Sequence, residues 1–190
     1  MVFFLPVGAR GSASHSWWAM VILLCVDATV FASLVFAHVH VAMAAEVYPP
    51  LGASLPPWGW PLASAVLLLT GSAAMLGAQK MPGRAGVWVL VLTALACLVS
   101  AAGLDGWGHR LTGLQPTANA WSATVAAMLA WQGFHVVVML LMGLYVCARR
   151  WTGRLQPEAR ASLDNTALLW HYTTVQGLAG MGIIYLMPLF

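Results

Sequence analysis

Charge is what this sequence has least of. Asp, Glu, Lys and Arg make up 7% of its 190 residues, against about 25% in an ordinary soluble domain. Hydrophobic residues make up 61%. So little charge excludes an ordinary soluble surface and points to a membrane-buried protein. The net charge of +3 carries no nucleic-acid signal, because in such a chain the placement of Lys and Arg reports orientation instead. Cysteine is scarce as well. Cys25, Cys97 and Cys147 stand singly inside apolar segments without a C-x-x-C spacing, which excludes a disulfide framework and a structural zinc site. They read as small buried hydrophobes. No G-x-S-x-G elbow and no glycine-rich phosphate loop is found, so nothing supports nucleophilic or nucleotide chemistry. The opening MVFFLPVGAR has its apolar residues before its first Arg, the reverse of a cleaved secretory signal. The first membrane helix is expected to act as an uncleaved anchor.

What is present is a set of long apolar runs. A helical span needs about 20 apolar residues, and residues 17–45, 60–78, 86–104, 121–148 and 167–187 meet or approach that length. Run length and the lack of strict alternation favour helices over barrel strands. The sequence therefore predicts an all-α fold, an integral membrane bundle of five transmembrane helices forming one domain over residues 1–190. The connectors are polar or rich in Pro and Gly: YPPLGASLPPWGWP (48–61), a basic turn around Pro82 and Gly83, the stretch 105–120, and 149–165 with four Arg, Glu158 and Asp164. Asp164 or Asn165 is the expected cap of the last helix.

The basic residues supply a topology. Arg10, Lys80, Arg84, Arg149, Arg150, Arg154 and Arg160 fall on one alternating set of connectors, and Arg110 alone on the other. Seven against one is a strong positive-inside bias. It places the N-terminus in the cytoplasm and the C-terminus, at Phe190, on the outer, periplasmic side. Trp17, Trp18, Trp58, Trp60, Trp107, Trp121 and Trp151 fall near the ends of the runs, as interfacial aromatics do.

Within residues 17–45 a single ionisable carboxylate, Asp27, interrupts the run WWAMVILLCVDATVFASLVFAHVHVAMAA. A charge near the bilayer centre costs roughly 2.5–3.5 kcal/mol on insertion scales, so Asp27 must face protein or water, and it is a functional-site candidate. Two readings stay open: a carboxyl that fixes helix packing, or a group that exchanges a proton or organises water and lipid. Asp27 lies ten residues past Trp17, about 15 Å at the rise of an α-helix. His135 lies fourteen residues before Arg149, about 21 Å by the same rise. Because Arg side chains snorkel, the two reach comparable depth, and His135 is the candidate partner of Asp27. His171 should sit nearer the cytoplasmic side, with His38 and His40 approaching the outer surface.

The six histidines invite a metal or haem test. His38 and His40 are two apart and point to different helix faces. His15 and His109 lie at or beyond the predicted boundaries. His135 and His171 are single histidines on separate helices, and no H-x-x-x-H pair supplies two ligands from one face. A satisfied core or interface histidine is the better reading of each. Gly177, Gly180 and Gly182 read as small residues that let membrane helices pack closely.

Three ordered segments together resemble subunit III of haem–copper terminal oxidases, the cytochrome c oxidase subunit III family, in its short five-helix bacterial form. They are WWAMVILLCVDATVFASLVFAHVH, WQGFHVVVMLLMGLYV and LLWHYTTVQGLAGMGIIYLMPLF. By this resemblance Asp27 takes the place of a membrane Glu, His135 that of a G-F-H histidine, and Trp170 and His171 those of a Trp-His pair. Thr173 and Thr174 stand where the family carries an acidic residue, and its Gln-x-x-Glu-Tyr pattern is missing from SAAGLDGWGH. The resemblance implies an accessory subunit without an active site or redox cofactor of its own. Haem and copper would reside in partner subunits, and structural phospholipids would be bound here. The implied partners are oxidase subunits I and II and membrane lipids, and the implied location is the bacterial inner (cytoplasmic) membrane. The role implied is support of assembly, proton uptake and sustained oxygen reduction. Other readings remain: an accessory subunit of a quinol oxidase or nitric oxide reductase, a small proton-coupled transporter with Asp27 as carrier, or a haem-b cytochrome using His135 and His171.

Overall fold

A computed structural model describes residues 15–81, 86–154 and 161–187 of the chain. The described residues form five helices: α1 (His15–Met43), α2 (Gly59–Lys80), α3 (Val87–Leu111), α4 (Ala120–Trp151) and α5 (Ala161–Leu186). The elements among the described residues are all helices, and α1 to α4 are each long and apolar enough to cross a membrane. α5 is not among them. His171, Tyr172, Thr173, Thr174 and Gln176 reduce its apolar character, and Thr173, Thr174 and Gln176 are buried. Tyr172 and Gln176 meet α1 and His171 meets α2, so much of this polarity is turned inward. Arg10, Arg84 and Arg160, on which part of the charge count rests, lie outside the described residues, as do Pro82, Gly83, Glu158 and Phe190.

Pairings between helices give their directions. Asp27 meets His135 and His38 meets Thr124, so α1 and α4 run antiparallel. Ser16 meets Asn165, and Asp27 meets Tyr172 and Gln176, so α1 and α5 run parallel. Ser72 with His171 and Gln79 with Asp164 make α2 antiparallel to α5. Ser64 Oγ donates to the Ala101 carbonyl at 2.9 Å, and this bond ties the α2–α3 hairpin. The chain thus passes up and down with each turn, as short connectors between membrane helices require.

Three boundaries differ from the sequence reading. α3 runs on through Asp105 and His109 to Leu111, although Asp, Gly and Arg suggested a connector there. Gly108 lies against Trp60 and Pro56, where an added Cβ would come within 3.3 Å of the indole, and this packing carries the helix past its weak formers. α5 begins at Ala161, so Asp164 and Asn165 lie within the helix and not ahead of it. Asp164 instead accepts from Gln79 Nε2 at 3.4 Å, and Asn165 donates to the Ser16 carbonyl at 3.4 Å. Buried Leu163 and Thr166 supply the packing that extends the helix backward. Arg149 and Arg150 belong to the last turn of α4, where cations meet the helix dipole favourably.

The main core lies between α2, α3, α4 and α5, around Met75, Ala94, Leu98, Met139, Ala167 and Trp170. A second cluster, with Trp121, Val125, Met128, Ile184 and Tyr185, closes the opposite end. Trp121 was expected at the interface, yet it is 1% exposed, packed edge-on against Tyr48. α1 joins the second cluster through the partly buried Phe31, Leu34, Val35 and Val41. Its buried residues are Leu24, His38 and Ala42, while Ile22, Leu23, Val26 and Phe36 present an apolar outer face.

Candidate functional site: a shared-proton network on Asp27

Asp27 sits on the inner face of α1, where α4 and α5 converge. The i, i+4 positions Tyr172 and Gln176 lie one turn apart on the same face of α5. Both reach the same carboxylate oxygen. Tyr172 Oη donates to Asp27 Oδ2 at 2.6 Å, and Gln176 Nε2 donates to it at 3.1 Å. The amide also lies 3.3 Å from the phenol oxygen. From α4, His135 Nε2 faces the other oxygen, Oδ1, at 3.1 Å. The imidazole is nearly enclosed, with its side chain 4% exposed against 14% for Asp27. Its other nitrogen, Nδ1, lies 2.9 Å from the Trp131 carbonyl one turn earlier.

That last contact fixes the proton count. A backbone carbonyl only accepts, so Nδ1 carries a hydrogen and donates it. A neutral ring would then have a bare Nε2 facing Oδ1. Two bare acceptors 3.1 Å apart repel, so one further proton must lie between them. Either His135 is an imidazolium beside a carboxylate, or Asp27 is a carboxylic acid donating to a neutral ring. Both arrangements hold one proton on the Nε2–Oδ1 line, and both leave the pair electrically neutral. Neutrality is what a low-dielectric interior demands of buried ionisable groups. Oδ2, with two donors, is the oxygen that stays bare.

The remaining histidines fall elsewhere. His171 Nδ1 lies 2.6 Å from Ser72 Oγ, at the α2–α5 contact, and is not part of the Asp27 network. Trp170, 1% exposed, packs in the main core, near Gly71 of α2. His38 is fully buried, between Thr124 Oγ1 at 2.9 Å and Tyr48 Oη at 3.3 Å. His40, two residues on, is exposed. His109 was placed at a boundary by the sequence, yet it lies inside α3 and is 2% exposed. In the loop after α1, burial raises the pKa of the Tyr48 hydroxyl and a contact with Trp121 opposes the shift. The phenol remains a donor, at 2.6 Å to the Ile184 carbonyl.

Haem ligation does not fit His135, because both of its ring nitrogens are engaged, one by Asp27 and one by Trp131. Among the described residues, no three His, Cys, Asp or Glu side chains are grouped so as to hold a metal ion. What the described residues show at Asp27 is a hydrogen-bond network that joins α1 to α4 and α5. Tyr172 and Gln176 escaped the sequence reading, because His171, Thr173 and Thr174 beside them spread the polar residues around α5 and hide the one face that their spacing of four defines. Gly177 explains how α5 comes so close: an added Cβ would lie 2.8 Å from Gln132 Nε2 and 3.1 Å from Leu68 Cδ1.

Comparison with known proteins gives a consistent set of relatives. The chain is 28% identical to cytochrome c oxidase subunit 3 of Arabidopsis thaliana over 148 residues, which cover 74% of this chain and 56% of that protein. It is 29% identical to the subunit 3 of Zea mays, over 73% of this chain and 54% of that protein. Against the subunit 3 of Marchantia polymorpha the identity is 23%, over 83% and 63%. The chain thus spans little more than half the length of the curated relatives it matches. No protein-family model matches it. These homologues support the family to which the three sequence segments pointed.

Proposed function

We propose that this homologue of cytochrome c oxidase subunit 3 is a non-redox accessory subunit of a haem–copper oxidase. The observation that carries the reading is similarity to curated subunit 3 proteins over about three quarters of the chain or more. In this reading α5 is a fifth span, with the N-terminus on the cytoplasmic side and the C-terminus outside, and the complex resides in a bacterial cytoplasmic membrane. The exposed apolar face of α1 lies toward lipid or a partner subunit, and haem and copper belong to the partners. Asp27, His135, Tyr172 and Gln176 form an internal proton-holding site that keeps α1 registered against α4 and α5 during turnover. Trp170 and His171 serve packing at the α2–α5 contact.

Affinity purification of the tagged chain from its native membrane tests this. The expected result is recovery of a large haem-bearing oxidase subunit, with the isolated chain lacking a Soret band. Recovery of the chain alone, or of a nitric oxide reductase, overturns the reading. Asp27→Asn is expected to leave that assembly intact and to shorten the number of turnovers before the oxidase inactivates. Unchanged turnover and lifetime would reduce the site to packing.

A further inference from the structure

A second polar feature lies beside the Asp27 network, and the proposed function makes no use of it. Between α3, α4 and α5, with Phe31 of α1 closing one side, is a cavity of about 30 Å³. Its wall carries Asp105 and His109 from α3, Trp131 and Gln132 from α4, and Gln176 and Tyr185 from α5. His109, Gln176 and Tyr185 are 2%, 3% and 5% exposed. Among the described residues, neither ring nitrogen of His109 has a hydrogen-bond partner, nor have Tyr185 Oη, Gln176 Oε1 or Trp131 Nε1. His109 Nε2 and Asp105 Oδ1 stand 3.9 Å apart, too far for a direct bond and near enough for one water to touch both. A smaller void of about 10 Å³ shares Asp105, Gln132 and Met181 with this cavity.

We propose that this cavity is a built hydration site, holding an ordered cluster of about two waters, the number its volume admits, bonded to His109, Tyr185 and the free oxygen of Gln176. Buried polar atoms without partners are rare because each loses its bonds to solvent and gains none in return. Here donors and acceptors from two helices converge on one void large enough for water. Apolar cavities stay dry, whereas a water needs two to four polar partners, and this wall offers that number. The cluster has a definite task. Gln176 turns its amide nitrogen to Asp27 Oδ2 and leaves its oxygen on the cavity side. Water donating to that oxygen holds the amide in this sense. With the cavity dry, Oε1 would be left without a partner, and only the nitrogen's contacts with Asp27 and Tyr172 would hold the amide in place. The waters therefore act as positioning groups for the Asp27 network.

Hydroxyl-radical footprinting by X-ray radiolysis, on the full chain in its native membrane, tests the site directly. Radicals formed from bound water oxidise methionine beside it, and of the two methionines on the wall, Met128 and Met181, the buried Met128 is the reporter. Met128 lines the cavity and is 5% exposed, while Met75 and Met139 are fully buried in the main core. The expected result is oxidation of Met128 with Met75 and Met139 untouched. Oxidation of Met128 no faster than theirs overturns the proposal. Gly180→Ala puts a Cβ 3.5 Å from Met128 Cε and into the cavity, and should abolish that oxidation. Tyr185→Phe, which removes one partner without adding bulk, should diminish it. Persistence of Met128 oxidation at full rate in both variants would mean access from bulk solvent and would equally overturn the site.

Discussion

Asp27 bears three contacts from two helices, and the two variants that remove its carboxyl group differ in what they leave behind. Asn at this position keeps one oxygen for the donors Tyr172 and Gln176. Leu leaves both of them, and the His135 ring, facing a hydrocarbon side chain. Each polar group stranded in a buried site costs about 1–3 kcal/mol. Asp27→Leu should therefore melt well below Asp27→Asn in thermal unfolding of the detergent-solubilised protein, despite its better fit to an apolar helix. Equal melting temperatures would mean that the network contributes nothing to holding α1. The sequence made Asp27 conspicuous because one ionisable group among apolar neighbours must be explained. Depth arithmetic reached His135 because a helix rises by a fixed amount per residue. Nothing similar singled out Gln176, whose amide is unremarkable by composition. Its importance comes from which way one face of α5 points, and that is a property of packing.

Packing also governs the glycines of α5, which do not share one role. Gly177 has Gln132 and Leu68 pressed onto it, Gly180 meets Met128 at ordinary contact distance, and Gly182 faces only Leu186 of its own helix, at 3.9 Å. Gly177→Ala should destabilise the bundle by about 1–3 kcal/mol, as overpacking does. Gly182→Ala should be neutral or slightly stabilising, since Ala favours the helical state over Gly by about 0.5–1 kcal/mol. Thermal unfolding of the two variants side by side checks this order, and its reversal would mean that α5 does not approach α4 as described. All three read alike in the sequence as close-packing residues, because spacing does not say which glycine a neighbour reaches. The same limit explains α3 and α5. Asp105 and His109 carry connector chemistry, yet the helix passes through them because Gly108 seats Trp60. Residues 161–166 look polar, yet Leu163 and Thr166 face inward and draw the helix out to Ala161.

For the molecule as a whole, the number of crossings decides where the ends lie. Five spans put the two termini on opposite sides of the membrane, and four put them together. A C-terminal alkaline phosphatase fusion should be active, and a C-terminal fluorescent protein that folds only in the cytoplasm should stay dark; the opposite pair of results would overturn five spans with a cytoplasmic N-terminus. The order of synthesis has a consequence of its own. The Tyr172–Asp27 bond joins positions 145 residues apart, so at about 5–20 residues per second the carboxyl is made some 7–30 s before its α5 partners. Throughout that interval α1 has few apolar contacts to hold it and one group that hydrocarbon rejects. The helix is best kept waiting at the insertion machinery or at the bilayer surface. Entry of α4 and α5 then does two things at once, satisfying the carboxyl and releasing α1 into the bundle. α5 thereby licenses the placement of α1, and a chain truncated before Tyr172 should carry an α1 that never settles.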